Sequence, residues 1–387
     1  MVLFLHNRYR TSGGEERAVA ALMALVREQL GEPTELLGRD SAAVGRARAA
    51  AGLVRGGLDP QAVASAVRRS GARVVHAHNV HPTFGWRALA AARAEGARVV
   101  LHLHQYRLVC AIGTCFTRGA ECTRCHARDT LAGVRLNCRE SLPEAVAYGA
   151  SLALWQRRLV EQADAVIVPS VFARERLREL GAPLAWERVR VLAPPVAPPA
   201  PAPVPVAQAA DGTPAPAAPY ALAVSRLAPE KGLDVAIDAC RAAGIALVIA
   251  GEGPERGALE ARARRADVRF VGHVGDAELA GLRARAALAL APSRSAETFG
   301  LAAAEAMAAA LPVAASRVGA LPELLDDGSL VEPGDAAALA AAIERLAGDR
   351  AVGEENRRRV AERCAPELVA AVLADVYGAS RRPAASP

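Results

Sequence analysis

Short apolar runs alternate with longer stretches whose apolar positions recur every three or four residues, and this rhythm fills most of the chain. In the first half it predicts a strand at Val2–Leu5, a helix over about Glu15–Gln29, a strand at Arg73–Ala77, a helix near Gly85–Ala94 and a strand at Arg98–Leu103. A cysteine-rich segment, Gln105–Glu140, interrupts the pattern. It resumes with a helix around Leu142–Glu161, a strand at Ala165–Pro169, a helix at Val171–Leu180 and a strand at Arg188–Leu192. The predicted strands are continuous apolar runs, as expected of parallel strands buried on both faces.

From Ala193 to Pro219 proline and alanine dominate, a composition that favours extended, semi-rigid chain and cannot build a core. The rhythm then restarts, with strands expected at Tyr220–Val224, Ile245–Ala250, Val268–Val271, Ala287–Ala291 and Val313–Ala315, each followed by a helical segment, and a last helix near Pro366–Tyr377. The pattern is α/β, with two doubly wound Rossmann-like domains: 1–192, carrying the insert 105–140, and 220–364, joined by a linker at 193–219. The segment 365–387 supplies a helix that is expected to reach back to the first domain. In open parallel sheets ligands bind beyond the carboxyl ends of the strands, so two such domains are expected to bind across a cleft.

Composition agrees with two domains, since 387 residues exceed what one core usually supports. Hydrophobic residues reach 52% but aromatics only 4%, so the cores should be built from Leu, Val and Ala. The net charge of +6 is spread over many segments and not gathered in a patch, which argues against nucleic acid as a partner. No apolar run is long enough to span a bilayer and Met1–Leu5 lacks the features of a signal peptide, so a cytoplasmic protein is expected, with peripheral contact to a membrane surface left open. Among 47 basic residues there is one lysine, Lys231. A position that keeps Lys in so Arg-biased a chain points to a site needing a compact cation on a thin stem.

Lys231 sits in Val224-Ser-Arg-Leu-Ala-Pro-Glu-Lys-Gly232, where the first strand of the second domain turns into a helix. Arg226 shares that turn, and with the helix-start amides the two cations suit a diphosphate. Gly251-Glu-Gly-Pro-Glu255 follows the next strand and by itself reads as a turn. Glu297-Thr-Phe-Gly-Leu-Ala-Ala-Ala-Glu305 follows a later strand, with Gly300 allowing close backbone approach and a helix starting at about that point. Carboxylates at Glu297 and Glu305 suit sugar hydroxyls, which need strong acceptors.

In this combination and order, with Gly319-Ala-Leu-Pro-Glu-Leu-Leu-Asp-Asp-Gly328 farther on, the chain resembles the retaining GT-B glycosyltransferases of family 4 over nearly its whole length. The resemblance implies a GT-B fold and sugar transfer from a nucleotide-diphosphate donor, with UDP and GDP not separable. It implies that Arg226 and Lys231 hold the diphosphate, that Glu297 and the amides around Phe299, Gly300 and Leu301 contact the donor sugar and phosphate, and that Glu305 accepts from the ribose hydroxyls. Glu252 and the backbone near Val274 would lie by the base or ribose. In the first domain it implies that Gly13 and Gly14 face the donor sugar and that His104 lies close to the reacting sugar. His76 and His78 read as structural, and Ser170 equally as a helix N-cap. Family members generally show no well-placed nucleophile, and front-face displacement is the common proposal. No Asp-x-Asp pair occurs in the chain, so catalysis is expected to need no divalent metal. The acceptor, a natural product or a cell-surface saccharide of a bacterium with GC-rich coding, is not encoded by any motif. A hydrolysing nucleotide-sugar epimerase and a non-catalytic nucleotide-sugar binder are the alternatives on the same fold. A dehydrogenase is disfavoured because no Gly-x-Gly-x-x-Gly follows a first strand.

Five of the seven cysteines lie between Cys110 and Cys138. In a cytoplasmic protein such clustering reads as metal binding before disulfides. The two-residue gap of Cys122-Thr-Arg-Cys125 lets two thiolates meet one ion, with Cys110 and Cys138 completing a tetrahedral structural zinc site and Cys115 and His126 as alternatives. The position of the insert after His104 suggests that it shapes the acceptor side.

Overall fold

The computed structural model describes residues 1–8, 14–198 and 219–378. These fall into two compact units, one of Met1–Thr117, Cys122–Pro195 and the segment from Pro366 onward, the other of Arg118–Glu121 and Val196–Ala365. Most of the Pro- and Ala-rich stretch lies outside the described residues, as does Gly13.

The strands of unit 1 are β1 (Val2–Arg8), β2 (Thr34–Asp40), β3 (Val74–Ala77) and β4 (Arg98–His102), followed, beyond the short insert strands β5 (Phe116–Thr117) and β6 (Ala120–Glu121), by β7 (Ala165–Val168) and β8 (Val189–Val191). Six of them form one sheet in the order β2-β1-β3-β4-β7-β8, every pairing parallel. β1 runs past the predicted end at Leu5, because β2 pairs with it as far as Arg8 opposite Asp40. β2 itself has no apolar run. It is an edge strand whose residues alternate between half-buried and exposed, so its sequence, Thr-Glu-Leu-Leu-Gly-Arg-Asp, carries little signal. Helices Arg46–Arg55 and Pro60–Ser70, also not assigned from the pattern, fill the stretch between β2 and β3. The second starts on Asp59, whose side chain accepts from the Ala62 amide, with Pro60 at the first helical position.

One face of the sheet packs Leu3, Leu5, Val75, Val99 and Leu101 against Val63, Val67, Phe84, Leu89 and Leu177. The other packs Val2, Phe4, Val74 and Val100 against Leu22 and Val26 of helix Gly14–Gln29 and against Val369, Leu373 and Tyr377. The terminal helix Pro366–Val376 is therefore part of the core of unit 1. Each fully buried apolar side chain there contributes roughly 2 kcal/mol. Two arginines fasten the helix end: Arg98 Nε donates to the Val376 carbonyl at 2.7 Å and Arg73 Nη1 to that of Tyr377 at 2.9 Å.

Unit 2 repeats the plan with β9 (Tyr220–Val224), β10 (Ala246–Ala250), β11 (Val268–Gly272), β12 (Leu288–Ala291), β13 (Val313–Ser316) and β14 (Leu330–Val331), again all parallel, in the order β11-β10-β9-β12-β13-β14. Its core is made of Leu, Val, Ile and many Ala, with Leu233, Ile237, Leu339 and Ile343 of two flanking helices over Leu247, Ile249, Leu288 and Leu290. In each unit the strand order reverses beside the first strand, between β1 and β3 and between β9 and β12. Those crevices are where a doubly wound sheet binds a ligand. Among the described residues no helix is long and apolar enough to cross a membrane.

Candidate active site

At the switch point of unit 2 the loops after β9 and β12 converge. Pro229–Lys231 forms one 3₁₀ turn, and Gly232, at φ +63°, turns the chain into helix Leu233–Ala242. A Cβ at Gly232 would overlap the carbonyl of Pro292, so glycine lets the first loop lie against the second. The Glu230 carbonyl accepts from the amides of Arg294 and Ser295, and the Arg294 guanidinium forks onto Asp234 at 2.7 and 2.6 Å. The loop after β10 joins them through backbone pairs between Leu227 and Glu252 and between Glu255 and Leu227. Gly251-Glu-Gly is thus more than a turn: side chains at Gly251 and Gly253 would collide with the backbone of Ser225 and Leu227.

On this frame Lys231 Nζ donates to Glu297 Oε1 at 2.6 Å, and Ser293 Oγ donates to the same oxygen at 2.6 Å. Burial pushes the Glu297 carboxyl up, but the charge and hydrogen bond of Lys231, with Ser293 and Arg226 adding to them, hold it below its ordinary value. Arg226 pairs with Glu230. The Glu297 backbone is seated on Gly319, at φ +60°, where a Cβ would overlap Glu297 itself, and the Glu297 carbonyl accepts from the Ala320 amide at 2.9 Å. Phe299 is buried, and Gly300, at φ +94°, caps helix Leu301–Ala308, whose first-turn amides have no partner within the helix.

The other expected donor residues are less central. Glu305 pairs with Arg283, a nearly buried arginine of helix Asp276–Arg285, and the two hold that helix to Leu301–Ala308. Glu252 is exposed and pairs with Arg256 at 2.8 Å, near Gly272, and Val274 packs at the edge of the small cluster around Tyr220. Ser293, Arg283 and Gly319 carry weight here that the sequence did not assign them; only Gly319, within a quoted motif, gave a signal.

Unit 1 places a different chemistry at its switch point. Five of the eight histidines, His6, His76, His78, His102 and His104, gather at the ends of β1, β3 and β4. His102 and His104 stack at 4.1 Å between centroids, and His76 and His102 at 5.4 Å. His76 Nδ1 pairs with the Tyr377 hydroxyl at 2.8 Å and its Nε2 with His102 Nδ1 at 3.3 Å, which fits the structural reading of that residue. His78 does more: its Nδ1 pairs with His104 Nε2 at 2.7 Å, so it holds the ring of the expected site residue and couples the tautomers of the two. Residues two apart on a strand share a face, which is why both rings turn into the stack.

His76, His78 and His102 each bring a nitrogen within 4.8 Å of the others in stacked or tilted rings; His76 Nε2 and His102 Nδ1 pair with each other, whereas the buried Nε2 atoms of His78 and His102 have no hydrogen-bond partner among the described residues. Burial holds His104 below its ordinary pKa; Glu15 and Glu16 pull it up and His6 pushes it down. Glu15 lies 3.7 Å from His6 and accepts from Gln105 Nε2 at 3.2 Å. Gly14 opens helix Gly14–Gln29 and is exposed. Ser170 is an N-cap, accepting from the Ala173 amide at 2.9 Å.

In the insert, Cys110, Cys115, Cys122, Cys125 and Cys138 line one cavity of about 20 Å³, whereas His126 does not; it packs against Gly181.

Compared with known proteins, residues 8–195 match the family described as glycosyl transferase 4-like domain and residues 218–349 the family described as glycosyl transferases group 1. A glycogen synthase of Mycobacterium tuberculosis is 38% identical over 177 residues, 42% of this chain and 42% of that protein. A GDP-mannose-dependent alpha-(1-6)-phosphatidylinositol dimannoside mannosyltransferase of the same species is 42% identical over 146 residues, 36% of this chain and 37% of that one. The chain thus matches these curated relatives over less than half their length. Among solved structures, a sucrose-phosphate synthase from Thermosynechococcus elongatus superposes with a TM-score of 0.70 at 19% identity, covering 98% of each chain. Anabaena HepE in complex with UDP superposes at 0.62 and 18%, covering 98% of this chain and 100% of that one. Identities this low speak to the fold, which is GT-B.

Proposed function

Because the chain belongs to the group 1 glycosyltransferases of GT-B type, we propose that it moves a sugar from a UDP- or GDP-linked donor to an acceptor hydroxyl with retention at the anomeric carbon. The observation that carries this reading is the 2.6 Å pairing of the lone lysine, Lys231, with Glu297 from a second loop, at the switch point of unit 2. Lys231 and Arg226 hold the diphosphate, joined by the open amides at the start of helix Leu301–Ala308. Glu297, kept ionised by its neighbours, accepts from the hydroxyls of the donor sugar. Glu305, braced on Arg283, does the same for the ribose, and Glu252 and the Val274 backbone lie toward the base.

In the reaction the bond between the anomeric carbon and the diphosphate oxygen breaks, and a bond to the acceptor oxygen forms on the same face. The acceptor proton passes to the departing phosphate oxygen. The developing charge is met by Lys231, Arg226 and backbone dipoles already in place, the kind of preorganised stabilisation that contributes most to such reactions. A lysine and an arginine thereby fill the role that a divalent ion plays on an Asp-x-Asp pair, so we expect activity without added metal. His104 and Gly14 belong to the sugar side, the acceptor being a natural product or a cell-surface saccharide.

The test is a thermal-shift panel of UDP- and GDP-sugars on the purified chain, followed by product analysis with the stabilising donor. A glycoside of unchanged anomeric configuration supports transfer. Free epimerised sugar formed without acceptor would instead identify an epimerase, and a thermal shift with no product a binding protein.

A further inference from the structure

The cysteines of the insert play no part in the reaction above, yet they are the most concentrated set of metal-ligating atoms in unit 1 outside the histidine stack. They come from three separate stretches: Cys110 and Cys115 from the loop after β4, Cys122 and Cys125 from beyond the short strands β5 and β6, and Cys138 from beyond helix Leu131–Arg135. All five face one cavity of about 20 Å³, whereas a single water needs about 10–15 Å³. The cavity has room for one ion, although no three of the five sulfurs stand within 4.8 Å of one another, so binding would have to draw the thiolates together.

The five are not equivalent. Cys115 is 1% exposed and belongs to the hydrophobic core, whereas Cys110, Cys122, Cys125 and Cys138 are all half-buried. The backbone is wrapped around the half-buried sulfurs. The Cys110 sulfur receives hydrogen bonds from the Cys115 thiol and from the backbone of Cys115, Ile112 and Gly113, and the Cys125 sulfur from the backbone of Gly133. A Cβ at Gly133 would stand 3.4 Å from the Cys125 sulfur, at the edge of ordinary contact, so this backbone packs directly on the thiol.

Tyr106, Leu108 and Val109 anchor the near end of the insert in the core, but the rest is irregular. Its regular structure amounts to two two-residue strands and one five-residue helix, yet it contains five of the seven described non-glycine residues at positive φ: Cys115, Arg118, Ala127, Asn137 and Glu140. Backbone of this kind persists only where its surroundings over-determine it.

We propose that Cys110, Cys122, Cys125 and Cys138 bind one zinc ion as a closed, structural four-thiolate site, with Cys115 as a neighbouring thiol that donates to Cys110 and does not ligate. Each ligand releases its proton on binding, so the site couples the fold of the insert to metal. This assignment does not rest on the transfer reaction and stands or falls separately from it.

The experiment is elemental analysis of the full chain purified without added metal, followed by cobalt replacement and visible absorption. About one zinc per chain is expected, together with a cobalt spectrum showing tetrahedral bands and sulfur-to-metal charge transfer. Cys125→Ser and Cys138→Ser should lower the zinc content at least tenfold, and Cys115→Ala should leave it unchanged. Metal-free protein with seven alkylatable thiols, or disulfides among the five by mass spectrometry, would overturn the site. Zinc lost equally from Cys115→Ala would overturn the choice of ligands. Should the ligand variants fail to fold, the zinc content and cobalt spectrum of the unaltered chain decide the matter.

Discussion

The two sheets share a topology but finish their switch points with opposite electrostatics. In unit 2 the edge is made of opposed full charges, Lys231 on Glu297, Arg226 on Glu230, Arg283 on Glu305 and Arg294 on Asp234. In unit 1 it is made of imidazoles whose pKa values burial and mutual repulsion drive down, so that His76, His78, His102 and His104 are neutral near pH 7. The difference teaches how one scaffold can divide labour: paired cations stay charged at all working pH values and suit a diphosphate, whereas desolvated histidines offer neutral polar surfaces suited to an uncharged ligand.

The comparison breaks most visibly in acid. An unfolded imidazole takes up a proton below about 6.5, but His76 folded does so only at about 3. Its contribution to stability is therefore complete above about 6.5 and is lost as the pH falls from there toward 3. At pH 5 His76 alone costs roughly 2 kcal/mol, and His78 and His102, lowered by the same burial, add to it, against a domain stability of about 5–15 kcal/mol. Unit 1 should then melt while unit 2 persists. All three tryptophans, Trp86, Trp155 and Trp186, lie in unit 1, so fluorescence follows it alone, and alkylation of the buried Cys240 and Cys364 follows unit 2. His102→Phe should make the fluorescence transition less steep in pH. Simultaneous loss of both signals would erase the distinction.

Next in size is Lys231→Ala, which removes a cation and leaves Glu297 without its partner. Removing one preorganised group that meets transition-state charge costs about 3–4 kcal/mol of barrier, so kcat/KM should fall at least about a hundredfold. Lys231→Arg should recover little of it, because a planar fork does not replace a compact ammonium. Full recovery by arginine would remove the reason for a lone lysine in this chain.

Lys231 was legible because arginine occupies every other basic position, and Glu297 because its spacing to Glu305 falls in a recognisable motif. Arg283 was not, being one arginine among many, and neither was Ser293; their roles arise from contacts between separate loops, which no local pattern encodes. β2 went unread because an edge strand has no apolar run, whereas the interior strands, buried on both faces, were plain. His78 was read as structural from its alternation with His76, and only the pairing of β3 beside β4 reveals that its ring is bound to His104. The terminal helix could be foreseen by its apolar stripe, but its seat on β1 and helix Gly14–Gln29 is tertiary information.

A smaller effect tests how the loops of unit 2 are held. Gly319→Ala places a Cβ against the Glu297 backbone at a positive φ, at a cost of about 1–3 kcal/mol. We expect a lower melting temperature for unit 2 and a roughly tenfold loss of kcat/KM, with unit 1 fluorescence unchanged; Gly328→Ala, which meets nothing within 4 Å, is the control. A drop in stability with normal kinetics would mean that Glu297 keeps its position by other means.

The smallest effect reads the imidazole edge directly. Glu15 raises the pKa of His104 against the larger lowering by burial. Glu15→Gln removes that support, so the His104 pKa should fall further. If transfer requires neutral His104, kcat/KM declines on the acid side as the pH drops through that pKa, and the variant should carry the decline to lower pH. Its plateau near pH 7 to 8 should be nearly unchanged, since His104 is neutral there in both proteins. An acid limb moving to higher pH would show that Glu15 acts on His104 with the opposite sign. A limb that does not move would assign it to another group, and His104→Gln in the same assay would show whether His104 titrates in the reaction at all.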